Sequence, residues 1–218
     1  MSIKVFNAFK DEDIKKVVKY MEDGAVIIFY SESVYGFATN GYIKESVEKI
    51  YGIKRRSKKK PLNILATPEN FMNWCYIPEK WKYIVEKLIK LYWPGNLGLI
   101  LPKKETIPDY VNANLDSVNL VCMDIVAYKM SGFADFPICV TSANFSGEKP
   151  ITNPEEALNA FKDYIDIFLL GSESSRKQPT TIIDFSKDYP YILRETTISA
   201  ESLYKILGVK ISPIIHTK

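Results

Sequence analysis

Four short stretches carry side chains that folding alone does not call for. In I-K-R-R-S-K-K-K-P-L, residues 53–62, six of the seven positions from Lys54 to Lys60 are basic. Like charges at that density repel unless solvent or phosphates screen them. Arginine grips phosphate through two parallel N–H bonds, and lysine acts on it as a point charge. Lys54, Arg56 and Lys60 are therefore candidates for a phosphate clamp, although a solvated loop between a helix and a strand explains the same residues. In V-T-S-A-N-F-S-G-E-K-P, residues 140–150, an apolar strand opens into Ser142, Asn144 and Ser146, with Gly147 and Pro150 shaping the backbone. Hydroxyls and backbone N–H groups at a strand's end make an anion cradle; a simple turn is the plainer reading. Y-S-E-S-V-Y-G, residues 30–36, offers Ser31 and Ser33 in what is either a ligand-binding loop or a Ser/Gly turn. Finally, Q-P-T-T-I-I-D-F (178–185) and Y-I-L-R-E (191–195) read as a β-hairpin carrying Thr180 and Arg194.

The elements that must position these residues follow from periodicity. Ile14, Val17, Val18 and Met21 recur at helical spacing, predicting an amphipathic helix over 11–21 that Asp23-Gly24 ends. The continuous run A-V-I-I-F-Y (25–30) then predicts a buried strand. Further strands are expected at 62–66, 97–101, 118–123, 137–141, 165–170, 181–185 and 191–194, with helices at 46–51, 81–91, 125–130, 154–161 and 201–207. Asn153 before Pro154 is an N-cap followed by proline in the first turn. Strands and helices alternating irregularly argue for α/β, at the border of α+β, and against a plain doubly wound sheet. Neither repeat nor linker interrupts the chain, so residues 1–218 are read as one domain.

Composition narrows the function. The 29 Lys and Arg against 26 Asp and Glu leave a net charge of only +3, so bulk charge does not argue for a nucleic-acid partner. No apolar run approaches the ~18 residues that span a bilayer, and the N-terminus is too polar for a secretory signal. A soluble, cytoplasmic chain is expected. Cys75, Cys122 and Cys139 lack C-x-x-C spacing and sit among apolar residues, as reduced core thiols do. His216, near the C-terminus, is the only histidine, which argues against a Ser-His-Asp triad, a histidine metal site or a histidine base. The tail from Lys210 to Lys218 reads as an edge followed by a frayed end.

Taken in order, six segments resemble the YrdC-like family, whose characterised members are threonylcarbamoyl-AMP synthases. The family's pattern runs P-T-(E/D)-T-V-Y-G-L, K-x-R-x-x-x-x-P-L, W-P-G-P-x-T-x-(V/I)-L, T-S-A-N-x-S-G-x-P, P-S-T-(I/V)-(V/I)-D and (V/I)-L-R-x-G. This chain offers S-E-S-V-Y-G-F, K-R-R-S-K-K-K-P-L, W-P-G-N-L-G-L-I-L, T-S-A-N-F-S-G-E-K-P, P-T-T-I-I-D and I-L-R-E-T, spanning about residues 20–198. The resemblance implies a twisted, mainly parallel open sheet flanked by helices, with a large basic concave face and no room for the second, C-terminal domain of some relatives. It implies a nucleotidyltransferase condensing L-threonine, bicarbonate and ATP, with Mg²⁺, to threonylcarbamoyl-AMP and pyrophosphate for tRNA modification by a downstream transferase. By motif position Arg56, Lys60, Ser142 and Arg194 would contact ATP, with Lys54, Ser117, Asn144 and Pro150 close by, and Ser33 and Thr180 would face threonine. Such a reaction needs no protein nucleophile; it needs reactants held in line and cations to take up charge, as Lys54 and Arg56 could.

The chain departs from the pattern on the amino-acid side. Leu65 stands where P-L-x-x-H has His, Val121 where V-A-V-R has Arg, Ser31 and Ser33 where P-T-E-T has Thr, and Thr196 where L-R-x-G has Gly. Losing an arginine–carboxylate contact costs about 1.5–3 kcal/mol, tenfold or more in affinity. Besides a diverged synthase, two readings stay open: a paralogue that binds nucleotide or an RNA end with a changed acyl substrate, and a module that holds tRNA or double-stranded RNA by backbone charge.

Overall fold

A computed structural model describes residues 3–208 and 211–213. The chain runs β1 (Lys4–Asn7), α1 (Asp11–Glu22), β2 (Ile27–Phe29), β3 (Gly36–Asn40), α2 (Lys44–Ile53), β4 (Asn63–Leu65), α3 (Lys82–Tyr92), β5 (Leu97–Pro102), β6 (Ser117–Val121), α4 (Ile125–Phe133), β7 (Ile138–Ser142), α5 (Pro154–Phe161), β8 (Ile167–Leu170), β9 (Thr181–Asp184), β10 (Tyr191–Arg194), α6 (Ala200–Leu207) and β11 (Ser212–Pro213). Two single 3₁₀ turns, Phe71–Asn73 and Glu79–Trp81, precede α3.

The strands form one sheet in the order β1-β8-β2-β3-β7-β4-β6-β5-β9-β10-β11. This is the expected α/β class with an open sheet and flanking helices. Parallel and antiparallel neighbours occur in equal number among the described residues. Two of the antiparallel pairs have a local cause: the short connections 30–35 and 185–190 fold β2 onto β3 and β9 onto β10, whereas parallel neighbours need long crossovers.

α1 buries the stripe its sequence announces. Ile14, Val17, Val18 and Met21 of α1 are buried, and Asp11, Glu12 and Asp13 sit in its first turn, where the helix dipole favours negative charge. Gly24, at φ +90°, makes the left-handed turn into β2. The Asn153 side chain accepts from the Glu155 and Glu156 amides, capping α5 as expected. Asp124 caps α4 through Ala127 N and also accepts from Glu32 N at 2.9 Å, tying that helix to the loop after β2. Cys75, Cys122 and Cys139 are buried and unpaired; burial pushes the Cys75 thiol up to about 12 and raises the other two further. Among the described residues no helix is long and apolar enough to cross a membrane. His216 and most of the 210–218 tail lie outside the described residues.

Candidate active site

Three connections and one strand end converge on a single cavity of about 340 Å³. The first connection, residues 30–35, leaves β2 and is pinned from several sides. Ser31 Oγ accepts from Ser33 N at 3.1 Å, the Ser31 carbonyl accepts from Ser174 Oγ at 2.7 Å, and Tyr35 N donates to Ile151 O. Ser33 Oγ lies within reach of the Gln178 carbonyl and of Asn96 Oδ1, so its one hydrogen is committed to these acceptors, and Ser33 lines the cavity. Gly36 follows, and a Cβ there would meet the Phe29 ring at 2.7 Å, so only glycine lets β3 lie this close to β2.

The basic run is the second connection, and the fold takes it apart. Arg56 and Lys60 line the cavity. The Arg56 guanidinium donates from Nε to Lys60 O at 3.3 Å and from Nη2 to Pro61 O at 3.0 Å, which fixes its plane and leaves its other N–H groups for a ligand. Burial lowers its pKa from the ordinary arginine value, yet arginine stays charged in proteins. Lys58 instead pairs with Glu48 at 2.7 Å on the surface, and Arg55 lies over the Phe145 ring. Lys54 turns inward: only 1% exposed, its Nζ donates to the carbonyls of Ser142 and Asn144 and to Asn144 Oδ1. Burial, with help from Arg56, pulls its pKa down to about 7.

The third connection follows β7. Ser142 lines the cavity, and its hydroxyl donates to Asn144 Oδ1. Asn144 turns its amide the other way, donating to Phe145 O at 2.8 Å and Glu148 O at 2.9 Å. Opposite, at the end of β10, Arg194 donates to Thr180 O at 2.8 Å and to Thr180 Oγ1 at 3.1 Å, and both residues line the cavity. Burial lowers the Arg194 pKa as well.

The structure therefore brings Ser33, Arg56, Lys60, Ser142, Thr180 and Arg194 together. Lys54, Asn144, Ser117 and Pro150 are not among the residues lining the cavity. Lys54 and Asn144 stand behind Ser142. Ser117 begins β6, its carbonyl held by Asn112 Nδ2 at 2.9 Å, and Pro150 precedes Ile151, whose amide bonds Ala143 O. Sequence reasoning missed the floor. Asn63 and Asn119 line it from β4 and β6, with Asn119 Nδ2 donating to Asn63 Oδ1 at 2.9 Å, and Val121 and Met123 continue the lining along the chain. An asparagine inside an otherwise apolar strand run was the available signal. Reading also missed Arg176, which bonds the Met123 carbonyl at 2.7 Å, pairs with Glu32 at 2.7 Å, and so ties the 171–180 loop across to the first connection.

Among the described residues, three cations and no carboxylate line this cavity. With backbone-anchored guanidiniums and hydroxyls at strand ends, the lining has the charge and hydrogen-bonding groups that suit an anion, in an α/β domain. A family model described as telomere recombination, covering the Sua5, YciO and YrdC proteins, matches residues 19–196, and the chain belongs to that family. The threonylcarbamoyl-AMP synthase of Pyrococcus abyssi is 29% identical over 220 residues, covering 99% of this chain and 64% of its own length. That of Bacillus subtilis is 28% identical over 204 residues, covering 91% of this chain and 57% of its own. The chain thus spans about three fifths of these relatives. The structure of P. abyssi Sua5 complexed with L-threonine superposes with a TM-score of 0.86 at 28% identity, covering 97% of this chain and 62% of that one. Escherichia coli YciO shares the fold, with a TM-score of 0.78 at 19% identity over 93% of this chain and all of that one.

Proposed function

We propose that the chain is a threonylcarbamoyl-AMP synthase: it joins L-threonine, bicarbonate and ATP into threonylcarbamoyl-AMP with release of pyrophosphate. The observation that carries this reading is the convergence of Arg56, Lys60 and Arg194 on one carboxylate-free cavity that also holds the hydroxyls of Ser33, Ser142 and Thr180. The threonine amine takes up bicarbonate with loss of water, giving a carbamate. A carbamate oxygen then attacks the α-phosphorus of ATP, and the bond to the β,γ-diphosphate breaks. In the second step both reactants are anions, so the protein's part is to hold them in line against their repulsion and to compensate charge growing on the leaving group. Arg56, Lys60 and Ser142 would hold the triphosphate together with Arg194, which Thr180 steers. Ser33 and Thr180 present hydroxyl oxygens to the amino acid.

Mg²⁺ would enter with the nucleotide. Among the described residues no three His, Cys, Asp or Glu side chains cluster as metal ligands, so phosphate oxygens would hold the ion, and it would neutralise part of their charge. The product is a mixed anhydride, suited to a downstream transferase that passes the threonylcarbamoyl group to a tRNA adenosine. Incubating the protein with ATP, Mg²⁺, L-threonine and ¹³C-bicarbonate tests the reading: mass spectrometry should show threonylcarbamoyl-AMP carrying the label.

A second reading, a nucleotide-binding paralogue with a different acyl substrate, is favoured by the aliphatic Leu65 and Val121. Charge-driven binding of tRNA or double-stranded RNA has less support, because only two of the six residues in the basic run line the cavity and Lys58 is already paired.

A further inference from the structure

Lys54 is buried, and its hydrogen-bonding capacity is filled. An ammonium has three N–H donors. All three have partners, and all three partners lie at the end of β7 or just beyond it: Ser142 O, Asn144 O at 2.7 Å and Asn144 Oδ1 at 3.1 Å. The Asn144 side chain is equally filled. Its oxygen accepts from Lys54 and from Ser142 Oγ, and its nitrogen donates to Phe145 O and Glu148 O. The Lys54 backbone adds a further tie, its carbonyl accepting from Ser146 N at 2.9 Å. Neither side chain lines the cavity, and neither has a donor to spare for a ligand. Ser142 does line it, and Ser142 is the residue both of them hold.

We propose that Lys54 is a positioning residue that never touches substrate: it fastens the end of α2 to residues 142–146 and thereby sets where the Ser142 hydroxyl stands in the cavity. This deepens the synthase reading and rests on it for its kinetic consequences. The brace depends on the third hydrogen. A neutral amine has two, so deprotonation releases one of the three acceptors, and the longest contact, to Asn144 Oδ1, is the one given up first. With Asn144 loosened, the acceptor that orients the Ser142 hydroxyl moves. The surroundings favour that loss near neutrality. The groups facing the ammonium are neutral carbonyls, the Phe37 ring of β3 at 5.6 Å and the Arg56 cation, and no carboxylate pulls on it.

The test compares the unaltered chain with Lys54→Met, which keeps the unbranched stem as far as Cε and removes the ammonium, both checked for folding by circular dichroism. In Lys54→Met, kcat for pyrophosphate release should fall on the order of a hundredfold, as small misplacements near reacting groups do, with KM for ATP changed less than threefold. In the unaltered chain, kcat should decline as pH rises through about 7, and this limb should be missing from the variant. A rise in KM for ATP with kcat unchanged would instead make Lys54 a nucleotide ligand and overturn the proposal. Hydrogen exchange at Ala143–Glu148, which needs no substrate, keeps the test alive should the synthase reading itself fail. After correction for intrinsic rates, exchange there should quicken above pH 7 in the unaltered chain and be fast at every pH in Lys54→Met. Equal protection of this segment in both proteins would refute the brace.

Discussion

Leu65 of β4 and Val121 of β6 are register partners in neighbouring parallel strands. In such a pair the two side chains rise from the same face of the sheet, and two residues earlier Asn63 and Asn119 join their amides on that same face. The two positions at which the family pattern has His and Arg are therefore one patch, and both have become aliphatic together. The cations of the site lie elsewhere, on the 56–60 turn and at the end of β10, so any carboxylate over this patch lacks a charged partner there.

Restoring that partner gives the first prediction. Val121→Arg places a guanidinium on the cavity floor and should lower KM for L-threonine by about tenfold or more, leaving KM for ATP unchanged. Steady-state kinetics with each substrate varied in turn decide it; an unchanged or raised KM for threonine would show that another group already holds the carboxylate.

Removing a cation should act on the chemical step. Arg56→Ala should cut the rate of pyrophosphate release roughly 10²–10³-fold without unfolding the protein. Its two side-chain bonds go to carbonyls of its own turn, and the Lys60 carbonyl keeps the Tyr51 hydroxyl at 2.9 Å. A variant within twofold of the starting rate would remove Arg56 from the site. Arg194→Lys should be nearly as damaging as Arg194→Ala, since lysine lacks the fork that bonds Thr180 O and Oγ1 at once.

Asn144 offers a stability test. Asn144→Ala deletes four side-chain hydrogen bonds at a residue 8% exposed and takes an acceptor from the buried Lys54 ammonium. The loss should be about 2–3 kcal/mol, or roughly 4–12 °C in Tm for a chain of this size. Thermal denaturation reads it directly; a shift under 2 °C would mean the segment is held by something else.

Lys54 should also leave a signature in stability against pH. Its folded pKa is pulled from 10.5 to about 7, so between those values the unfolded chain holds a proton that the folded chain does not. Stability then rises with pH across this window. The urea midpoint should climb from pH 7 to 9 more steeply in the unaltered chain than in Lys54→Met. Parallel curves would contradict the depressed pKa. The sign is opposite to the predicted fall in kcat, so the Lys54 contribution to stability does not account for a loss of activity above pH 7.

How much could be read beforehand depended on what each signal measures. Periodicity located α1 through Ile14, Val17, Val18 and Met21, and the Asn153-Pro154 pair marked the start of α5. The strand Gly36–Asn40 went unread because all five residues are buried between two neighbours, so neither alternation nor β-branched enrichment distinguishes it from the loop before it. β1 is a four-residue strand at the sheet's edge with little burial to pattern it. In the site, residue type pointed to the right segments but not to their facing. Lys54 and Arg56 look alike in a charge run; only the packing of α2 against the β7 end sends one behind Ser142 and the other into the cavity. Asn63 and Asn119 meet only because β4 and β6 pair, and Glu32 and Arg176 only because two loops cross.

The most direct measurement is pyrophosphate release from ATP and Mg²⁺, with and without bicarbonate, across a panel of amino acids. The synthase reading predicts release that requires bicarbonate and L-threonine together and collapses in Arg56→Ala. Release with neither co-substrate, or none with any amino acid while ATP still binds by calorimetry, would contradict it.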